Sequence, residues 1–211
     1  MDRTVTALTA QKKNPNRINV FLDGEFSFGL SRIVAAWLRI GEELSDEKIA
    51  RLKEQDTLEV ATQRAIELLS YRPRAEAEIR KRLTEHGFGV ENIEAVLERL
   101  RVSGLVSDEN FARAWADNRV TFRPRSRRMV VSELRQKGVS EETIDQALTE
   151  LPDDEDLAYQ SGLRYAHRLE GLELEDFRKK MAGFLGRKGF SYGTAAEVIR
   201  KIWRELQEKA D

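Results

Sequence analysis

Apolar side chains return at one fixed interval along most of this chain. Gly87, Gly138 and Gly189 follow one another at intervals of 51 residues. The same interval relates three sets of apolar residues on either side of these glycines: Ile79/Val130/Met181, Leu83/Leu134/Leu185 and Phe88/Val139/Phe190. A repeat of this length is typical of a helical unit that is copied and stacked. The pattern predicts a mainly α-helical protein with three tandem repeats and a period of 51 residues.

Each repeat has the pattern of three helices. The last helix of the first repeat carries apolar residues at positions 93, 96, 97 and 100, which is the spacing of one helix face. Gly87 and its equivalents suit the C-cap of the second helix. The third helix begins after Gly89, Ser140 or Ser191, which suit an N-cap. The first helix of the third repeat aligns at 46 residues and not at 51, which predicts a longer loop near Glu170–Leu174.

The first 30 residues predict β-structure instead of helix. Asp23-Gly24 stands between two apolar stretches and signals a hairpin with a type I′ turn, because both central residues of that turn need positive φ. The turn pairs Phe21 with Phe26 and puts Val20 and Leu22 on the opposite face. Since both faces carry apolar groups, we expect the small sheet to pack on the helices that follow.

Two helix signals connect this sheet to the repeats. Ser31 suits an N-cap, and an apolar stripe that Gly41 ends follows it: Val34, Trp37 and Leu38. Ser45 begins a second helix, whose apolar stripe is Ile49 and Leu52. The chain is thereby divided into an N-terminal segment with a β-hairpin and short helices (residues 1–56) and three repeats (residues 57–107, 108–152 and 153–211).

Composition limits the possible functions. Charged residues make up 35% of the chain, yet the net charge is −1, so a nucleic-acid partner would have to be recognised by local clusters. The absence of cysteine excludes disulfides and thiolate metal sites and fits a reducing compartment. There is no run of about 18 apolar residues, and the N-terminus lacks the order of a signal peptide. We expect a monomeric cytoplasmic protein without a membrane segment.

No arrangement of residues predicts catalysis. The two histidines, His86 and His167, belong to no metal-ligand spacing. Acidic pairs such as Glu141-Glu142 fall at predicted helix starts, where the helix dipole accounts for them. No nucleophile has a general base in a recognisable pattern. We therefore expect a protein without enzymatic activity, metal or cofactor.

One polar motif stands out between the first and second helices of a repeat. The first repeat has Tyr71-Arg72-Pro73-Arg74, and the second has Phe122-Arg123-Pro124-Arg125-Ser126-Arg127-Arg128. Proline suits the first turn of a helix, but cations are unfavourable there because of the helix dipole. These arginines are either solvated or they bind an external carboxylate or phosphate. The third repeat has the acidic Leu174-Glu175-Asp176 instead, so the first two repeats are the better candidates for a binding face.

The basic side chains around this motif are the candidate partner-binding residues. Between Arg119 and Lys137 there are seven basic residues and one acid, Glu133, so the segment is locally positive. A further cluster ends the second helix of the third repeat. The full set of candidates is Arg72, Arg74, Arg119, Arg123, Arg125, Arg127, Arg128, Lys137, Arg187 and Lys188.

Several of these motifs resemble the RecX family of bacterial recombination regulators. The similar stretches are the aromatic-Arg-Pro-Arg lead into a helix, the step Gly104-Leu105-Val106-Ser107-Asp108-Glu109-Asn110-Phe111-Ala112 and the helix end Lys137-Gly138-Val139. The hairpin also resembles the β-containing extension of some members. Ala75 departs from the family pattern, which has serine there, whereas Ser126 keeps it. The change removes an N-cap without altering the expected fold.

This resemblance implies a fold and a partner. RecX proteins are tandem three-helix repeats in a curved, elongated array. They bind the RecA recombinase, lie in the groove of its filament on DNA, and inhibit its ATPase, strand-exchange and co-protease activities without enzymatic activity of their own. Acidic protein surface and DNA phosphate in the filament are both anions that the arginines could bind. The residues alone leave one alternative open, a free-standing helical-repeat module that binds DNA or RNA.

Overall fold

The computed structural model describes residues 2–208 of the chain. Its N-terminal part is an antiparallel sheet of four strands, in the order β3-β2-β1-β4. The strands are β1 (Arg3–Gln11), β2 (Asn14–Leu22), β3 (Glu25–Ser31) and β4 (Glu43–Leu44). A single helical turn, α1 (Arg32–Ala35), lies between β3 and β4.

The predicted hairpin is confirmed. Asp23 and Gly24 have φ values of 51° and 91°, as a type I′ turn requires. Phe21 pairs with Phe26, and their ring centroids are 5.9 Å apart. The opposite face is buried against the helix that follows, with a core that includes Val20, Leu22, Leu30, Ile49 and Leu52. The sheet therefore packs on a helix, as expected from its two apolar faces.

Nine longer helices follow the sheet within the described residues. The first repeat contains α2 (Asp46–Tyr71), α3 (Glu76–Glu85) and α4 (Val90–Val102). The second contains α5 (Asp108–Thr121), α6 (Arg127–Gln136) and α7 (Glu141–Thr149), and the third contains α8 (Asp154–Ala166), α9 (Leu174–Arg187) and α10 (Tyr192–Glu208). Helix α2 continues without a break through residue 57, where the sequence pattern places the start of the first repeat.

The three-helix repeats are confirmed by their caps and by their cores. Gly87, Gly138 and Gly189 have φ values of 83°, 79° and 90° and end the second helices. Each repeat buries its own apolar cluster, centred on Leu83, Leu134 or Leu185. In the third repeat the extra residues form a 3-10 turn, His167–Leu169, and a loop that precedes α9.

The predicted apolar stripe after Ser31 is wrong in one part. Helix α1 ends at Ala35, and Ala35 and Leu38 contribute to the core. Trp37 is 86% exposed. Residues three apart lie on one face only while the helix continues. Because α1 ends at Ala35, before Trp37, the helical spacing does not predict which side of the chain Trp37 faces.

The contacts divide the chain into two compact units. The N-terminal unit contains the chain up to Pro73 together with Ile79–Val106. The C-terminal unit contains Arg74–Glu78 and the chain from Ser107 onward. The start of α3 thus belongs to the unit that contains the second and third repeats.

Asp56 joins the sheet to α2 inside the N-terminal unit. Its carboxylate is buried, and Oδ2 lies 2.9 Å from Nη2 of Arg17 on β2. Oδ1 accepts the backbone N–H of Ser31 at the end of β3. The same guanidinium donates to the carbonyl of Gly29 at 3.0 Å. A buried charge with these partners ties two strands to one helix.

Replacing Ser140 with alanine is expected to lower the free energy of unfolding by about 1 kcal/mol. Ser140 is the N-cap of α7, and its Oγ accepts the backbone N–H of Thr143 at 3.2 Å. Urea denaturation followed by circular dichroism measures the loss. Ser132, an exposed residue within α6, is the matched control, because alanine costs nothing in a helix interior. Equal losses for both variants would contradict a capping role.

Candidate functional site

Several candidate cations come together in the C-terminal unit. The segment between α5 and α6 contains Arg123, Pro124 and Arg125, and it lies against the end of α9. The backbone N–H of Ser126 donates to the carbonyl of Lys188 at 3.1 Å. In return, Lys188 Nζ donates to the carbonyl of Pro124 at 3.0 Å. Two clusters that are 64 residues apart in the chain therefore form one surface.

Arg119 and Arg125 share one carboxylate. Arg119 Nε lies 2.6 Å from Oε2 of Glu133, and Arg125 Nη1 lies 2.7 Å from its Oε1. The side chains of Arg119 and Glu133 are each only 14% exposed. Trp115 Nε1 also donates to Glu133 at 2.8 Å, and its ring lies 4.4 Å from the Arg119 guanidinium carbon. Glu133, the lone acid of the basic segment, thus pairs with the mostly buried Arg119 and with Arg125, whose side chain is 38% exposed.

Arg127 has an internal role that the sequence did not reveal. Its guanidinium donates to the carbonyls of Leu148 at 2.7 Å and Leu151 at 2.8 Å, at the end of α7. Its backbone N–H donates to Oδ1 of Asp154 at 2.7 Å. Arg127, a candidate partner-binding residue by sequence, therefore has acceptors inside the protein. Its acceptors lie at least 21 residues away in the chain, beyond the reach of local reasoning.

Lys137 is also paired within the C-terminal unit. Its Nζ lies 2.9 Å from Oε1 of Glu78 and 5.2 Å from the centre of the Trp115 ring. Both side chains of the ion pair are mostly buried. Such a lysine positions α6 against the start of α3 and presents little charge to solvent.

Lys188 is a half-buried cation among other cations. Burial lowers the pKa of its ammonium group, and the positive charges of Arg125 and Arg164 lower this pKa further. Its Nζ lies 5.0 Å from the centre of the Phe184 ring. Burial and like charge disfavour the protonated form of Lys188. An anion bound beside Lys188 would stabilise that protonated form.

Three candidates are exposed and have no internal partner. The side chains of Arg123, Arg128 and Arg187 form no hydrogen bond or ion pair with any other residue in the 2–208 range. Arg72, in the N-terminal unit, is exposed and donates to the carbonyl of Pro73 at 2.9 Å. Arg74 is half-buried. The structure therefore separates ten candidates of similar appearance into internally bound and solvent-facing cations.

Sequence reasoning missed two basic residues of the same surface. Arg164 and Arg168 on and just after α8 border a cavity with Lys188. Their signal was hidden because the first helix of the third repeat and the turn that follows it are out of step with the 51-residue frame. At the 46-residue offset, Arg164 and Arg168 correspond to Asn118 and Phe122, which are adjacent in the chain to the candidates Arg119 and Arg123.

Two further observations concern metals and membranes. In the described part of the chain, no three His, Asp or Glu side chains are close enough to hold a metal ion. No helix among residues 2–208 is sufficiently long and apolar to cross a membrane.

Together these features define a class of protein: a tandem three-helix-repeat protein with a small N-terminal sheet and a cationic surface. Four family models match the chain in order. They are the RecX N-terminal domain over residues 3–45 and the first, second and third RecX three-helix domains over residues 61–100, 107–148 and 153–199. The chain belongs to the RecX family.

Relatives named "Regulatory protein RecX" support this assignment over nearly the whole chain. The protein of Lactobacillus gasseri is 30% identical over 210 residues, covering 97% of this chain and 76% of the relative. That of Levilactobacillus brevis is 31% identical over 202 residues, covering 94% and 76%. That of Amycolatopsis mediterranei is 33% identical over 158 residues, covering 74% and 90%. The relatives are regulatory proteins, and this chain takes the same general role.

Two crystal structures share the fold. One, described as regulatory protein RecX, has a TM-score of 0.70 and 28% identity, and the match covers 93% of this chain and 98% of that one. RecX from Lactobacillus salivarius has a TM-score of 0.60 and 20% identity, with coverage of 70% and 97%. The second likeness concerns the fold alone.

Proposed function

We propose that this protein binds the RecA recombinase and its filament on DNA and inhibits the ATPase, strand-exchange and co-protease activities of RecA. It acts by binding and has no catalytic activity of its own. Two kinds of support exist: family membership over the length of the chain, and a surface of cations in the C-terminal unit.

The observation that carries the proposal at the residue level is the set of three exposed arginines without internal partners. Arg123, Arg128 and Arg187 have donors that no described residue accepts. Five bound cations supply a contrast, because Arg119, Arg125, Arg127, Lys137 and Lys188 already have acceptors or carboxylates inside the protein. An exposed guanidinium can bind a carboxylate or a phosphate in bidentate geometry. Acidic surface of RecA and DNA phosphate within the filament both offer that chemistry.

The function is tested by ATP hydrolysis. Added to RecA from the same organism on single-stranded DNA, the protein is expected to lower the rate of hydrolysis at amounts below one copy per RecA. If a saturating amount leaves the rate unchanged, the proposed function is wrong. The assay needs no variant and is independent of which residues contact the filament.

A double substitution tests the surface. Arg123→Glu with Arg128→Glu is expected to raise the concentration needed for half-inhibition by about tenfold or more, since each charge-assisted contact contributes roughly 1.5–3 kcal/mol. Circular dichroism should show unchanged helix content, because both side chains are solvated. The control is Arg113→Glu with Arg178→Glu, which makes the same charge change at two exposed arginines outside the candidate set. Similar losses in the two double variants would mean that net charge, and not this surface, controls binding.

The alternative function is a free-standing DNA- or RNA-binding module. Mobility-shift titration without RecA separates the two. Tight binding that weakens steeply with salt, together with no effect on ATP hydrolysis by RecA, would favour the alternative, because phosphate contacts release counterions. Weak binding to nucleic acid in the absence of RecA, together with inhibition of RecA, favours the RecA filament as the partner.

A further inference from the structure

Two equivalent lysines in the C-terminal unit have opposite electrostatic surroundings. Lys137 and Lys188 occupy the same place in the 51-residue frame, just after α6 and α9. Lys137 is paired with Glu78 at 2.9 Å. The position equivalent to Glu78 is Met129, and no carboxylate pairs with Lys188 in the described chain. One lysine is neutralised and its equivalent is not.

The same loss of acid occurs at a second position. Glu133, which binds two arginines, is replaced by Phe184 one period later. At the 46-residue offset that aligns α5 with α8, Trp115 is replaced by Ser161. The first change removes a negative charge, and the second exchanges an indole ring for a small side chain. Ser161, Phe184 and Lys188 now border a cavity of about 180 Å³.

The cavity is lined by cations. Arg164 and Arg168 border it together with Lys188, and no acidic residue does. Arg164 donates to the carbonyl of Thr121 at 3.1 Å, which leaves its remaining N–H groups available. The side chain of Arg168 is exposed and makes no hydrogen bond or ion pair with the described residues. Three positive charges around one small space are mutually unfavourable, and an anion between them would be stabilised.

Flat aromatic surfaces lie beside these cations. Tyr165 stacks on Phe184 with ring centroids 4.0 Å apart and planes 7° from parallel. Phe122, which also borders the cavity, is 71% exposed. Ser161, which is 2% exposed, also borders the cavity. The site therefore combines an aromatic platform with positive charge that no carboxylate lining the cavity compensates.

We infer that this cavity binds a nucleoside phosphate, with the base against Phe122 and Tyr165 and the phosphate held by Arg164, Arg168 and Lys188. Stacking of bases on aromatic side chains beside a positively charged groove is how proteins bind unpaired nucleotides. A cavity of this volume is smaller than the roughly 300–1,000 Å³ of typical small-molecule pockets. It suits one base, with the sugar and phosphate at the rim.

This ligand has two possible sources: a free mononucleotide, or one unit of a single strand whose base is unpaired. The inference does not depend on the proposed action on RecA. It uses Phe122, Arg164 and Arg168, whereas the filament surface was assigned to Arg123, Arg128 and Arg187. Binding is measured without RecA, so failure of one proposal leaves the other standing.

The experiment uses the full chain with thymidine monophosphate and a short fluorescent oligothymidylate. Anisotropy measures binding of the oligothymidylate, and competition measures binding of the mononucleotide. Arg168→Glu and Phe122→Ala are each expected to weaken binding by about tenfold or more. Arg178→Glu, at an exposed arginine on α9 that does not border the cavity, should leave binding unchanged. Both exposed side chains can be changed without disturbing the core, which thermal denaturation verifies.

The outcomes are distinct. If only the oligothymidylate binds with this dependence on Arg168 and Phe122, the ligand is a unit of a single strand; if the mononucleotide binds equally well, it is the free nucleotide. Either result supports the site. If neither binds, or if Arg168→Glu and Arg178→Glu behave alike, the inference is overturned. It is also overturned if polyglutamate binds with this dependence while both nucleotides do not, because the cavity would then be a carboxylate site.

Discussion

Replacing Glu133 with alanine is expected to lower the free energy of unfolding by about 3–5 kcal/mol, as for the loss of one partner in a buried ion pair. The carboxylate of Glu133 accepts a hydrogen bond from Trp115 Nε1 and pairs with the guanidinium groups of Arg119 and Arg125. Its side chain is 14% exposed. Without it, the mostly buried Arg119 keeps its charge and loses its counterion. Urea denaturation followed by circular dichroism measures the change.

Glu141 is the matched control for this prediction. It also pairs with an arginine of α6, since its Oε1 lies 2.6 Å from Nε of Arg135, but its side chain is 61% exposed. Water screens an exposed pair of this kind, so Glu141→Ala should change stability little. Equal losses for Glu133→Ala and Glu141→Ala would show that burial of the pair is unimportant. A stable Glu133→Ala variant would also return Arg119 and Arg125 to the set of cations available to a partner.

Gly138→Ala is expected to cost about 2–5 kcal/mol of unfolding free energy, the sum of two effects. Gly138 has a φ of 79°, and alanine in the left-handed region costs about 1–2 kcal/mol. In addition, a Cβ at this position would overlap the methyl group of Ala77, and overpacking costs about 1–3 kcal/mol. Because the Ala77 methyl is attached directly to the backbone, it cannot rotate away. Thermal and urea denaturation measure the loss.

Gly87→Ala separates these two effects. Gly87 has nearly the same φ, 83°, and a Cβ there would meet nothing within 4 Å. It should therefore lose only the conformational part, about 1–2 kcal/mol. If the two variants were equally destabilised, the close approach of α3 to the end of α6 would not contribute. The difference between the two losses of unfolding free energy measures how much this contact between consecutive repeats contributes to stability.

Much of the fold could be predicted from the chain, because its signals are local. The hairpin depends on Asp23-Gly24, the helix ends depend on glycines with positive φ, and each apolar stripe depends on residues three and four apart. These features involve neighbouring residues and need no knowledge of the partners in space. The prediction failed at Trp37, where the helix is one turn long and its surroundings decide exposure.

The candidate site was predicted as a set of residue types but not as a surface. Arg127 and Arg128 are adjacent and chemically identical, yet Arg127 binds the end of α7 and Arg128 faces solvent. Lys137 and Lys188 are equivalent in the repeat, yet only Lys137 has a carboxylate, from a residue 59 positions earlier. No local pattern distinguishes the members of such pairs, since each acceptor comes from another helix.

The sequence by itself determined the repeat period, the helix and hairpin boundaries to within a few residues, and the family. All three follow from periodicity and backbone preferences that operate over short distances along the chain. Only the tertiary structure decided which cations are neutralised inside the protein and which remain for a partner. It also decided that Arg164, Arg168 and Lys188 surround one cavity. The physical reason is that charges are compensated according to their distance in space, which the chain sets only after its helices have packed.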